Sequence, residues 1–250
     1  MKKLFLASFV LLFALTSTSC RKSGQRGNNG NTRNNSELVD NNKQRNRNSR
    51  GNEESSSQIS KRSERKMDGP EIFDKYSSAV FMIFTSDGES GFQGSGFFIS
   101  NDGLAVSNYH VFKGTYTGME QIKLSDSNVA YKVSEVIAKS DEEDFILFRV
   151  NCDNTNYLPI VKSKPKVGEK VYAIGSPRGL ENTFSSGEVS QWRDNNLMQI
   201  SALIDHGSSG GALINEYGEV VGITSGTFAD GSQANLNYAW SIDVVKPYIK

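Results

Sequence analysis

The sequence is poor in the residues that build metal-held or disulfide-held folds: its 250 residues include two cysteines, Cys20 and Cys152, and two histidines, His110 and His206. Pairs so far apart fit neither the spacing of a zinc cluster nor the cysteine framework of a small secreted module. A long hydrophobic run is also missing. The most apolar stretch, Leu4 to Leu15, falls short of the roughly 20 residues that cross a bilayer as a helix. No internal repeat with a period of about 20 to 50 residues is visible, which excludes a solenoid or propeller. Net charge is lacking too, with 28 Lys and Arg against 28 Asp and Glu. That balance hides two unlike regions. Arg21 to Lys66 carries 12 basic and 5 acidic residues, whereas Met67 to Lys250 carries 14 basic and 23 acidic. A basic arm precedes an acidic globule long enough to bury a core.

What is present begins with an export pattern. Met1-Lys2-Lys3 is followed by the apolar run, interrupted only by Ser8, and then by small residues up to Cys20. The pattern resembles a bacterial lipoprotein signal, which implies a signal peptide over 1–19, acylation of Cys20 and anchoring to a membrane of the cell envelope. Ser17 departs from it, since Leu is usual three residues before the cysteine, and secretion as a soluble protein is the alternative. Arg21 to Lys66 contains only three apolar residues, Leu38, Val39 and Ile59. It cannot bury enough surface to offset its ordering entropy, so 20–66 is expected to be a disordered tether. Such a coil reaches about 35 to 40 Å, and its charge suits anionic lipid or envelope polymer. Cys152 reads as a lone small hydrophobe at a strand end.

From residue 67 the texture changes to short apolar or alternating runs between turn residues. Eleven candidate strands are Ala79–Thr85, Gly96–Ser100, Leu104–Ser107, Gln121–Leu124, Ala130–Ala138, Phe145–Val150, Lys170–Gly175, Leu197–Leu203, Gly211–Ile214, Glu219–Thr224 and Leu236–Ser241. Their spacing predicts one all-β domain over 67–250. Helical texture is confined to Glu71–Ser78, just after Pro70, and to Asp243–Tyr248.

Three stretches carry chemistry. Leu104 to Phe112 is a strand ending in His110, whose imidazole can serve as a general base near neutral pH; a lone histidine is more often structural. Asp141 to Val150 is an acidic cluster running into an apolar strand. Three of its carboxylates read as solvated surface, whereas Asp144 abuts the strand and can orient an imidazole. Ile204 to Ile214 brackets Ser208 and Ser209 with glycines that let the chain turn tightly and gather N–H groups; alone, it is an ordinary Gly/Ser turn.

Together the three follow the order His, Asp, Ser, and here the chain resembles trypsin-like peptidases of the HtrA (Deg) type. Gly94 to Ser100 resembles that family's first-barrel strand, Ser107 to Val111 its histidine motif, and Asp144 to Leu147 its aspartate motif. Ala173 to Ser190 resembles the activation-loop region, Gly207 to Leu213 the nucleophile loop, and Gly218 to Ile223 the strand beyond it. The resemblance implies two six-stranded antiparallel β-barrels with short terminal helices. It implies Ser209 as nucleophile, His110 as base and then acid, Asp144 as orienter, and an oxyanion hole at Gly207, Ser208 and Ser209. Leu203, six residues before the nucleophile, would floor the S1 pocket, with Ile223, Thr224 and Ser225 as its wall and small or aliphatic P1 residues preferred; core packing is the other reading of Leu203. No cofactor, metal or nucleic-acid partner is expected. Polypeptide substrates are, together with a homotrimer touching through Phe73 and Tyr76. Departures are the lack of a following PDZ domain, Ser208 where Asn or Asp is frequent, Ser241 where Pro is common, and His206, which reads as pocket rim. The rival reading is a catalytically silent protease fold used for binding or sensing.

Overall fold

The computed structural model describes residues 65–249, apart from 117, 126, 128, 154, 177–181 and 228–235. Helix α1, Gly69–Tyr76, starts at a reciprocal cap: Glu71 N–H donates to the Asp68 carboxylate at 3.0 Å, and Asp68 N–H to the Glu71 carboxylate at 3.2 Å. Pro70 occupies the first turn, where its missing N–H costs nothing. The helix buries Ile72 and Tyr76, and its end passes into a 3-10 turn at Ser77–Ala79.

Seven strands follow: β1 (Val80–Ser86), β2 (Gly91–Phe98), β3 (Leu104–Ser107), β4 (Gln121–Leu124), β5 (Ala130–Tyr131), β6 (Val133–Ser140) and β7 (Phe145–Val150). They form one curled antiparallel sheet in the order β5-β4-β1-β2-β3-β7-β6. Alternation assigns its two faces. Phe98 and Ala105 join Phe81, Ile83, Ile122 and Phe148 inside the sheet's own core. Their neighbours Phe97 and Val106 turn the other way and join the core of the second half.

That second half comprises β8 (Lys170–Gly175), β9 (Thr183–Trp192), β10 (Leu197–Ile200), β11 (Ala212–Asn215), β12 (Val220–Thr227) and β13 (Asn237–Ser241). They close a barrel in the order β10-β13-β12-β11-β8-β9 around Val171, Met198, Leu213, Val221 and Ile223. The all-β, two-barrel expectation is met. The first sheet carries seven strands rather than six, because the run predicted as Ala130–Ala138 divides into β5 and β6 at Lys132. There the buried Glu120 carboxylate accepts the Val133 N–H at 3.0 Å.

Two local expectations are corrected. β9 was read as activation loop rather than strand; its polar residues are mostly exposed, so no alternation marks it. The C-terminal helix is a pair of 3-10 turns, Ile242–Val244 and Lys246–Tyr248. Pro247 has no N–H with which to continue an α-helix. Within the chain, Tyr76 is 5% exposed and the half-buried Phe73 packs edge-on against Phe184 with ring centroids 5.9 Å apart.

Candidate active site

His110 sits in the 3-10 turn Tyr109–Val111 directly after β3, and Asp144 directly before β7. These strands are antiparallel neighbours, pairing Ser107 with Ile146, which brings the two side chains together. Asp144 Oδ2 lies 2.8 Å from His110 Nδ1, and Asp144 Oδ1 accepts the His110 backbone N–H at 2.9 Å. A carboxylate against Nδ1 fixes the tautomer with the proton there, leaving the Nε2 lone pair for a substrate-side proton.

Asp144 is held with unusual care. Its φ of 44° is the one left-handed backbone among the described non-glycine residues. Such strain persists where surroundings over-determine it. Asn108, fully buried, donates to the Asp144 carbonyl at 2.8 Å, and Ser225 Oγ donates to Oδ2 at 2.9 Å from across the cleft. The neighbouring acids behave as surface: Asp141 pairs with Lys113 at 2.7 Å, and Glu143 accepts from Asn196 at 2.8 Å.

The nucleophile loop precedes β11. Gly207 and Gly210 take φ of 93° and 86°, and a Cβ on Gly210 would stand 2.2 Å from the Ser95 carbonyl oxygen. Only glycine fits there. The Ser208 N–H is already used, donating to the Asp205 carbonyl at 3.0 Å. Among the described residues, the N–H groups of Gly207 and Ser209 have no acceptor, so two donors remain for a developing oxyanion. Ser209 Oγ makes no hydrogen bond to the His110 ring, and it faces Gly226, where an added Cβ would come within 3.5 Å of it.

Ser95 of β2 ties this loop to the first sheet. Its N–H donates to the Ser209 carbonyl at 2.8 Å, and its Oγ donates to the Gly207 carbonyl at 2.7 Å. The same Oγ accepts the Ser176 N–H at 2.9 Å, and its carbonyl accepts from Ser107 Oγ at 2.7 Å. One fully buried serine thus joins both sheets and both ends of the nucleophile turn. Sequence reasoning missed it; the only signal was a hydroxyl between Gly94 and Gly96. It also missed that Ser225 serves Asp144 rather than a pocket.

The expected S1 residues separate. Leu203 is 70% exposed, neither a buried floor nor core, and its carbonyl accepts from Ser185 Oγ at 2.8 Å. Ile223 is wholly within the barrel core. Thr224 is buried behind the nucleophile loop, its Oγ1 donating to the Ser208 carbonyl at 2.7 Å. Leu203, Thr224 and Ser208 do share the lining of a narrow space of about 10 Å³, with Ala173, Ile174 and Thr183. His206 is exposed, on the loop before Ser209. Cys152 is free and half-buried, its thiol pushed up by burial and by the nearby Asp153. Cys20 lies outside the described residues, as do 177–181 of the expected activation loop.

Two antiparallel barrels, with a histidine–carboxylate pair on one and a glycine-bracketed serine on the other, define the class of trypsin-like peptidases. The chain belongs to that family: residues 94–223, just over half of it, match the family described as trypsin-like peptidase domain. The mitochondrial serine protease HTRA2 of Drosophila virilis is 31% identical over 182 residues, covering 68% of this chain and 42% of that protein. The Drosophila erecta protein of the same name matches to the same extent. The chain therefore spans about two fifths of these relatives. Among solved structures, the serine endoprotease from Yersinia pestis superposes with a TM-score of 0.65 at 23% identity, covering 74% of this chain and 66% of that one. The HtrA-type protease AlgW with tripeptide gives 0.62 at 22% identity, covering 71% and 60%. The HtrA-like resemblance seen in the motifs is borne out.

Proposed function

We propose that the chain is a serine endopeptidase acting on polypeptides through Ser209, His110 and Asp144. The observation that carries this reading is the doubly bonded Asp144–His110 pair, whose Asp144 is also bonded by Ser225, the neighbour of the Gly226 that stands beside Ser209 Oγ. Ser209 Oγ would attack the scissile carbonyl as His110 Nε2 takes its proton, and Asp144 would stabilise the resulting imidazolium. The Gly207 and Ser209 N–H groups would receive the oxyanion, each well-aimed donor being worth about 3 kcal/mol. His110 would then return the proton to the leaving amine. Hydrogen bonds of this kind are often long before substrate binds, so Ser209 Oγ closes on Nε2 in the complex.

No charged side chain lines the space beside Leu203, which supports small, uncharged P1 residues. Unfolded proteins are the substrate class in keeping with the HtrA resemblance, and a trimer is the assembly in keeping with it. The leader up to Cys20 supports export and lipid anchoring in a bacterial envelope. A silent binding module is the second reading, favoured by the missing Ser209–His110 bond. Incubation of the full chain with casein, beside Ser209→Ala, separates the two. Cleavage by the first alone supports the peptidase; no cleavage by a folded protein supports the module.

A further inference from the structure

The acidic globule has one basic pole. Four of its 14 cationic residues, Lys162, Lys164, Lys166 and Lys170, fall within nine consecutive positions. All four are exposed, and none forms an ion pair among the described residues. The ammonium groups of Lys164 and Lys170 lie over the rings of Trp192 and Tyr172, at 5.1 and 5.3 Å from the centroids, and Lys164 also donates to the Asn195 carbonyl and to Asn196 Oδ1 at 3.2 Å, so both are held in place without a carboxylate partner. With Lys66 these lysines line an open hollow of about 340 Å³. Three glutamates share it, but two are engaged: Glu216 pairs with Lys66 at 2.5 Å, and Glu219 is buried and bonded to Asn215. Among the lysines stands Val167, 55% exposed.

Two further observations give this pole a direction. The chain preceding the domain enters here, since Met67 N–H donates to the Glu216 carbonyl at 2.7 Å beside the Lys66–Glu216 pair. That preceding stretch is the basic one. The site lies at the other end of the same strands. β8 runs from Lys170 in the hollow to Gly175, where an added Cβ would stand 3.1 Å from Ser208 Cα, a span of about 17 Å. β11 likewise runs from Ala212, next to the nucleophile loop, to Asn215 in the hollow.

We propose that this lysine pole docks the domain on an anionic, phosphate-bearing lipid surface, with Val167 entering the headgroup layer and the active-site cleft facing away. Exposed lysines without ion pairs, set around an exposed apolar residue, are the combination such a surface attracts. The shared chemistry is phosphate recognition, and a soluble phosphate ester is the alternative source. The proposal does not depend on peptidase activity.

The test is amine acylation of the full chain, read lysine by lysine by mass spectrometry. It is run with phosphatidylglycerol vesicles, with phosphatidylcholine vesicles, and with glycerol 3-phosphate at matched phosphate. The expected result is at least fivefold slower acylation of Lys162, Lys164, Lys166 and Lys170 with phosphatidylglycerol vesicles only, abolished by high salt, with Lys113 and Lys123 unchanged. The K162E/K164E/K166E/K170E variant, shown folded by circular dichroism, should lose at least tenfold of the binding that phosphatidylglycerol adds over phosphatidylcholine. Equal protection by phosphatidylcholine would assign contact to the apolar N-terminal run. Protection by glycerol phosphate would assign a small-anion site, and no protection would leave the pole solvated; each overturns the proposal.

Discussion

The two halves of the cleft are built by different means. On the first sheet the histidine–carboxylate pair is fixed by side chains, with Asp144 bonded to the His110 ring and backbone. On the second barrel the loop that carries Ser209 is fixed through its carbonyls, those of Gly207, Ser208 and Ser209 all accepting hydrogen bonds. Each half is nevertheless locked by a serine from the other. Ser225 of β12 reaches across to Asp144, and Ser95 of β2 reaches across to the nucleophile turn. Neither half is complete without the opposite barrel, so a change in the seam between barrels reaches both the Asp144–His110 pair and the loop that carries Ser209.

The comparison can be broken from either side. The largest effect is expected from Ser209→Ala, which should lower kcat on casein-derived peptides by about 10⁵-fold or more, as single losses from such a triad do. Asp144→Asn keeps the shape but removes the charge and favours the wrong tautomer; a loss near 10⁴-fold in kcat is expected. Ser95→Ala should act through the loop it positions, lowering kcat by about 10- to 100-fold with KM within threefold and cleavage positions unchanged. If KM rises instead while kcat holds, Ser95 supports substrate binding rather than the oxyanion donors. Ser95→Cys, nearly the same in shape, should recover part of the loss.

The smallest effect sharpens the contrast with sites remote from the cleft. The Ser100 hydroxyl and, after it, Arg149 hold the Asp102 carboxyl below its ordinary range. Its lowered folded value means that the contribution is present at neutral pH and is lost as pH falls through the acid range. Because the Asp102 side chain is 58% exposed, Asp102→Asn should cost no more than about 1 kcal/mol at pH 7 and less at about pH 3. Urea unfolding at the two pH values checks it.

Legibility followed the range of the interaction. β3, β4, β7 and β8 match the expected runs residue for residue because each is a short apolar or alternating segment between turn residues. The place of Asp144 at the mouth of β7 was readable for the same local reason. β9 was not, since one of its faces is almost wholly exposed and the other buries only Val189, leaving no apolar alternation in its residues. The Ser225–Asp144 bond joins residues 81 apart, and Ser95 meets Gly207 across 112 positions. No local pattern announces such partners. Leu203 shows the limit of position counting: chosen for standing six residues before Ser209, it has a side chain that faces water.

The central claim is that the two halves converge on Ser209, and fluorophosphonate labelling of the full chain, located by mass spectrometry, tests it most directly. The account predicts a single label on Ser209 that disappears in Ser209→Ala and slows sharply in His110→Ala. A folded protein that takes no label, or takes it on another serine, would contradict it.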